Sequence, residues 1–181
     1  MSDLKAKRVH RWMHAGVWTG LIYLTLPIMP PVWLFFSRLA WFPFFVIGAI
    51  VLVIISSLVV FINKRYIRRA SSYVLLFLIA IVYLGGIRFL KIPVERVHFI
   101  EYGILVFLVY RALSLDFKNS WPYVGAFILT SLIGLGDEGI QYLLPNRYYS
   151  LMDVCLNCVS AALGLALVYV ITRDKKASHS I

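Results

Sequence analysis

The chain has 181 residues, of which 61% are hydrophobic and 14% are charged. Soluble domains typically contain about 45 to 50% apolar residues, so this composition excludes an ordinary soluble domain and indicates an integral membrane protein. The formal net charge is +10, but the 18 Lys and Arg residues are spread over many turns and form no single basic stripe. We therefore expect membrane lipids, and no nucleic acid, as partners.

The apolar residues fall into blocks of about 18 to 24, the length that a helix needs to cross roughly 30 Å of hydrocarbon. The first block ends at Pro30 and Pro31, which cannot donate the hydrogen bonds of a continuing helix. The blocks cover about residues 12–29, 41–62, 73–90, 97–113, 121–144 and 151–172. The sequence thus predicts an all-α integral membrane protein, a bundle of about six transmembrane helices.

The basic residues are divided unequally between the two sides of such a bundle. Six spans place the N-terminus, the second and fourth connections and the C-terminus on one side, which then holds 13 of the 18 Lys and Arg residues. Basic residues concentrate in cytoplasmic loops. We therefore expect a multi-pass protein with both termini in the cytoplasm.

Polar side chains interrupt the last three predicted spans at one end of each. The fourth span would enter the membrane from outside, the fifth would leave it there, and the sixth would re-enter after a short turn, so all three would present these groups at the external side. Ionisable groups near the membrane interior are costly, and such a cluster is by default a candidate site. Its members are His98, Glu101, Asp137, Glu138, Gln141, Arg147, Asp153 and Asn157.

Helical periodicity supports the convergence of these groups. Within each span the polar residues lie inside an arc of about 100° or less, so each helix presents one polar stripe. The turn that contains Arg147 is short, and the fifth and sixth helices should therefore be antiparallel neighbours. Arg147 would lie over their stripes and pair with an acid or with a bound anion. The expected result is an outward-facing polar pocket.

Three residues of the cluster are candidate catalytic groups. His98, Glu101 and Glu138 could act as general acid and base, or they could hold a divalent metal. The alternative for His98 and Glu101 is a salt bridge that fixes helix packing. For the adjacent acids, the alternative is that Asp137 faces solvent while Glu138 pairs with Arg147.

The remaining polar residues are candidate substrate-binding groups. Asp153 and Asn157 could position a ligand headgroup, or they could form hydrogen bonds between helices. The full candidate set comprises Tyr102, Asp137, Gln141, Arg147, Asp153 and Asn157.

Three motifs, in this order, resemble the VanZ-like family of bacterial membrane proteins, whose pattern is HFxEY, then DExxQ followed by a proline and an arginine, then DxxxN and glycines. The chain has His98-Phe99-Ile100-Glu101-Tyr102, then Asp137-Glu138-Gly139-Ile140-Gln141 followed by Pro145 and Arg147, then Asp153 with Asn157 and Gly164. The resemblance covers about residues 72–172. It divides the chain into two N-terminal spans outside the match (1–71), a VanZ-like four-span unit (72–176) and a cytoplasmic tail (177–181).

The family is named after a teicoplanin-resistance determinant of glycopeptide-resistance gene clusters, and the name implies no particular reaction. The resemblance implies a cell-envelope role in the bacterial inner (cytoplasmic) membrane. We expect the polar pocket to bind or modify an anionic lipid or lipid-linked envelope molecule, with Arg147 on its headgroup. The alternatives are a transporter of a lipid or small molecule, and a non-catalytic accessory subunit whose first two spans dock a membrane-protein partner.

Overall fold

The computed structural model describes residues 2–36, 38–41, 70–89, 95–145 and 149–178. All regular secondary structure in these ranges is α-helical, which confirms the all-α prediction for this part of the chain. The helices are α1 (Ser2–Thr25), α2 (Met29–Phe36), α3 (Ala70–Phe89), α4 (Glu95–Leu113), α5 (Trp121–Leu143) and α6 (Leu151–Ser178). The described residues leave out nearly all of the predicted second span. They also leave out Arg147 and the end of the predicted tail.

Two of these helices, α5 and α6, are long and apolar enough to cross a membrane, over Trp121–Leu143 and Leu151–Arg173. Helices α1 and α2 reach that length and composition together, but the chain bends by 60° between them. The apolar part of α3, Ala70–Gly86, is shorter. The described residues therefore contain two or three candidate spans, and the six-span bundle is not confirmed.

The first predicted span differs from the observed helices at both ends. Helix α1 already begins at Ser2, where Asp3 occupies the first turn and pairs with Lys7 at 2.7 Å. An acid in the first turn stabilises a helix start. Pro30 and Pro31 do not end a helix but lie in the first turn of α2. Proline is tolerated there because the first N–H groups of a helix have no partner within it.

Helix α4 lies at the centre of the described bundle and packs against α6, α5 and α1, while α3 packs on α6. Its buried apolar residues include Leu105, Val106 and Val109, which form one core with Ala126 of α5 and Ala161 of α6. The backbones of α4 and α6 approach closely at Gly164, where a Cβ would lie only 3.0 Å from the Gly103 Cα. Small residues permit such close packing between membrane helices.

Helix α5 carries its large apolar side chains outward and its polar ones inward. Phe127, Ile128 and Leu132 are exposed on its outer face. The buried positions of the same helix are Pro122, Ala126, Thr130, Gly134, Asp137, Glu138 and Gln141. This distribution suits a helix whose outer face meets lipid, and it collects polar groups between α4, α5 and α6.

Candidate functional site

Tyr102 connects α4 to α5 at the centre of the predicted site. It is fully buried, and its hydroxyl donates a hydrogen bond to Asp137 Oδ2 at 2.7 Å. His98 lies one turn earlier on α4, with its Nδ1 3.6 Å from Glu101 Oε2 and 3.9 Å from Asp137 Oδ2. The imidazole therefore lies between two carboxylates from different helices.

Gln141 links the two adjacent acids of α5. Its Nε2 donates to Asp137 Oδ1 at 3.2 Å and to Glu138 Oε1 at 3.1 Å. Residues three and four positions apart are neighbours on a helix surface, so one amide reaches both carboxylates. Both acids are 0% exposed. The alternative in which Asp137 simply faces solvent is therefore wrong.

The start of α6 is tied to the end of α5 through Glu138. Its Oε2 accepts a hydrogen bond from the backbone N–H of Ser150 at 3.2 Å. The Ser150 hydroxyl in turn accepts from the backbone N–H of Asp153 at 3.2 Å, in the manner of a helix N-cap. The contact places the two helix ends side by side, as the short turn between them predicts.

Asn157 brings α6 against the backbone of α5 just below the acids. It is 0% exposed, and its Nδ2 lies 3.5 Å from the Gly134 carbonyl oxygen. A Cβ at Gly134 would lie 2.9 Å from Asn157 Cβ and 3.1 Å from Tyr102 Cε1, so glycine is required for this approach. The Asn157 Oδ1 is buried and has no hydrogen-bond partner in the described part of the chain.

Helix α1 also contacts the site, through Trp18 and Tyr23. The Trp18 indole donates to the Glu101 carbonyl oxygen at 2.9 Å, and the Tyr23 hydroxyl donates to the Ile133 carbonyl oxygen at 2.8 Å. Both bonds end on backbone oxygens, so they fix α1 against α4 and α5 and leave the carboxylates untouched. The sequence did not predict these two contacts of Trp18 and Tyr23, because the spacing of residues within α1 does not show which face of the helix packs against the bundle.

The structure brings most of the predicted site residues together. We call the connected set the carboxylate cluster; it consists of His98, Glu101, Tyr102, Asp137, Glu138 and Gln141. Asn157 borders the cluster. Asp153 reaches it only through its backbone N–H, and its side chain forms no hydrogen bond with another described residue. The catalytic and substrate-binding roles of all these residues remain predictions.

The side chains of the cluster are largely buried in this structure. The exposed side-chain fraction is 19% for Glu101, 9% for His98 and 0% for Asp137. Tyr102 is 0% exposed and Gln141 4% exposed, and the outward-facing polar pocket stays a prediction. Glu101 is the most accessible of the acids in the cluster.

The metal prediction finds no support in the geometry. Among the side chains that the structure describes, no group of three His, Cys, Asp or Glu residues is arranged to hold one metal ion. His98, Glu101 and Glu138 therefore do not form a ready set of ligands. They form part of the carboxylate cluster, in which Tyr102 and Gln141 donate hydrogen bonds to the acids of α5.

Comparison with known protein families covers more of the chain than the three VanZ-like motifs do. No curated protein and no solved structure matches the chain. The family model VanZ/LLP1 matches residues 12–172. This match includes the first two predicted spans, which the motif-based resemblance left out. With most of its length matched, the chain belongs to the VanZ/LLP1 family.

Proposed function

We propose that this chain binds an anionic lipid or lipid-linked envelope molecule at the carboxylate cluster, with Arg147 on its phosphate. Membership of the family supports a VanZ-type membrane protein of the bacterial cell envelope. The observation that carries the proposal is the convergence of six polar side chains from α4 and α5 in a bundle whose outer faces are apolar. Polar and ionisable groups buried among membrane helices are costly, and such a cluster is by default a candidate functional site.

The proposed site faces the external leaflet of the inner membrane, and both termini lie in the cytoplasm. This orientation is supported by the excess of Lys and Arg on the side of the termini. A molecule in the outer leaflet would then reach the ends of α4, α5 and α6 at which the acids lie. The envelope lipids of that leaflet are the ligands within reach.

Glu101 is the entry point in this proposal, because its carboxylate is the most exposed of the cluster. His98 lies between Glu101 and Asp137 and would respond to the charge of a headgroup. Arg147, in the turn after α5, would hold the phosphate. If the bound molecule undergoes a reaction, His98, Glu101 and Glu138 are the groups placed to transfer protons.

The test is a lipid titration of the purified protein in mild detergent, read by native mass spectrometry. Glu101→Gln keeps the shape of the side chain and removes a charged acceptor for the hydroxyl or amine donors of a headgroup, so we expect lipid affinity to fall about tenfold. The control is Asp3→Asn, since Asp3 is an exposed acid near the start of α1 whose side chain is 79% accessible. It should bind as the unmodified chain does.

Two variants distinguish binding from catalysis. An enzyme should lose turnover in Glu101→Gln and Glu138→Gln and keep most of its lipid binding, whereas a binder or transporter should lose binding itself. If Glu101→Gln, Glu138→Gln and Arg147→Ala all keep both the lipid affinity and any turnover of the unmodified chain, the carboxylate cluster is not the lipid site.

A further inference from the structure

We propose that two residues of α1, Trp18 and Tyr23, are positioning residues of the carboxylate cluster. They hold the backbones of Glu101 and Asp137, on α4 and α5, at the separation that binding of a lipid headgroup requires. The inference rests on the proposed function and adds α1 to its site. It is carried by two hydrogen bonds from α1 to backbone oxygens beside the acids, and by a glycine that leaves room for one of them.

Helix α1 packs against both of the helices that carry the acids. At about 100° per residue, Trp18 and Tyr23 lie about 140° apart around α1. The buried side chains of Ala15 and Ile22 lie in the arc between them. One edge of the buried face of α1 therefore meets α4 through Trp18, and the other edge meets α5 through Tyr23.

The Trp18 bond acts on the residue that carries the most accessible acid of the cluster. The indole N–H donates to the Glu101 carbonyl oxygen at 2.9 Å. A backbone carbonyl oxygen has two lone pairs, so it accepts this bond in addition to the hydrogen bond within α4. The bond satisfies the indole N–H among apolar helices and fixes the rotation of α4 at Glu101 relative to α1.

The Tyr23 bond acts on the turn of α5 that ends at Asp137. The Tyr23 hydroxyl donates to the Ile133 carbonyl oxygen at 2.8 Å. In an α-helix the same oxygen accepts from the backbone N–H four residues later, which here belongs to Asp137. Gly136 leaves the space that the hydroxyl occupies, since a Cβ there would lie 2.8 Å from the Tyr23 Oη. Tyr23 thus fixes the backbone that carries Asp137.

Together the two bonds set how the acids of α4 and α5 stand relative to each other. Both acids approach the same imidazole, with His98 Nδ1 3.6 Å from Glu101 Oε2 and 3.9 Å from Asp137 Oδ2. A binding site needs its groups held within about 0.5 Å of the productive geometry. Because both bonds from α1 end on backbone oxygens, they hold the acids without occupying the carboxylates.

The first test is a double-mutant cycle between Trp18 and Glu101. The purified full chain in mild detergent is titrated with phosphatidylglycerol, and binding is read by native mass spectrometry. Trp18→Phe should lower the affinity about fivefold, the effect of losing one ordinary hydrogen bond. In the Glu101→Gln background the same change should have little further effect, because the charged acceptor that Trp18 positions is already absent.

Trp12→Phe is the matched control for this cycle. Trp12 packs on the same core from the same helix, and its indole has no hydrogen-bond partner in the described part of the chain. This variant should bind phosphatidylglycerol as the unmodified chain does. If Trp18→Phe lowers the affinity by the same factor with and without Glu101→Gln, Trp18 has only a general packing role and the inference is overturned.

A second pair of variants tests the Tyr23 hydroxyl alone, and it decides the question if Trp18→Phe does not fold. Tyr23→Phe keeps the ring and should also lower the affinity for phosphatidylglycerol. Gly136→Ala should do the same, because its methyl group would displace the hydroxyl. Without the hydroxyl, the nearest ring atom, Cζ, would lie 3.8 Å from that methyl group. Gly136→Ala should therefore cost no further affinity in the Tyr23→Phe background.

The outcomes separate the positioning role from lipid binding itself. Unchanged affinity in Trp18→Phe or in Tyr23→Phe, with weaker binding in Glu101→Gln, would overturn the role of that residue and leave the proposed function intact. Unchanged affinity in Glu101→Gln would overturn the inference, because no contact of Glu101 would then depend on α1. Failure of the unmodified chain to bind phosphatidylglycerol would overturn the proposed function, and this inference with it.

Discussion

Two adjacent carboxylates, Asp137 and Glu138, are fully buried between helices and depend on a few donors. Tyr102 and Gln141 supply side-chain donors to them, and Ser150 supplies a backbone N–H to Glu138. Like charges this close repel, and low-polarity surroundings strengthen both that repulsion and the hydrogen bonds that offset it. Removing one donor should therefore affect the stability of the whole cluster.

Tyr102→Phe tests this dependence. The change removes the hydroxyl that donates to Asp137 and keeps the ring, so we expect the free energy of unfolding to fall by about 1 to 3 kcal/mol. Thermal unfolding of the detergent-solubilised protein measures the loss. Tyr142→Phe is the matched control, because Tyr142 is 69% exposed. Equal midpoints for the two variants would show that the Tyr102 hydroxyl contributes little.

Individual contacts differ in how far the sequence could predict them. The meeting of His98, Glu101 and Asp137 followed from helical phase and span direction, which depend only on spacing. Ser150 was missed, although a serine three residues before an acid is a known helix-start signature and could have indicated it. The bonds from Trp18 and Tyr23 to backbone carbonyls depend on how α1 packs, which spacing within one helix does not encode.

The helices α4 and α6 pack backbone to backbone, and this contact holds the cluster together from below. At Gly164 a Cβ would lie 2.7 Å from Val106 Cγ1, 3.0 Å from Gly103 Cα and 3.1 Å from Gly103 O. Two of these atoms belong to the backbone of α4 and cannot move by a rotamer change. Any side chain at residue 164 would push α6 away from α4.

Gly164→Ala should therefore destabilise the protein, even though alanine is the better helix former by about 1 kcal/mol. We expect a net loss of about 1 to 2 kcal/mol, since overpacking typically costs about 1 to 3 kcal/mol. Gly16→Ala provides the control, because a Cβ at Gly16 would meet nothing within 4 Å. Unfolding midpoints in detergent should fall for the first variant and hold or rise for the second; the opposite order would contradict the close packing.

Helix boundaries were predicted best where the sequence changes sharply. The predicted spans 121–144 and 151–172 match the starts of α5 and α6, because Pro122, the turn after Leu144 and the apolar composition leave little choice. The start of α1 and the existence of α2 were missed. A basic segment can be helical, and two prolines can begin a helix as well as end one, so composition alone did not decide either case.

The carboxylate cluster and the basic residues Arg8, Arg11 and Arg111 lie at opposite ends of the described helices. The carboxylate cluster lies at the last turns of α5. At the other end, Arg8 pairs with Asp116, and Arg11 donates to the Arg111 carbonyl oxygen at 2.6 Å. Helix α5 has 23 residues, which at 1.5 Å each is roughly 34 Å, enough to separate the two ends by the thickness of a bilayer.

The number of spans across the whole molecule stays a prediction. Helix α4 is not among the candidate spans, and it carries Glu95, Arg96, Glu101 and Arg111 within 19 residues. Glu101, a residue of the carboxylate cluster, thus also lowers the hydropathy of the helix that carries it.

Photo-crosslinking in proteoliposomes tests lipid binding at the carboxylate cluster most directly. A phosphatidylglycerol analogue with a photoreactive group in its headgroup is activated, and the labelled peptides are mapped. Headgroup labels should concentrate on residues 98–102 of α4 and 150–157 at the start of α6, and fall several-fold in Glu101→Gln. Labels that spread evenly over both ends of the bundle, or that gather at the basic end around Arg8 and Arg111, would contradict the proposed site.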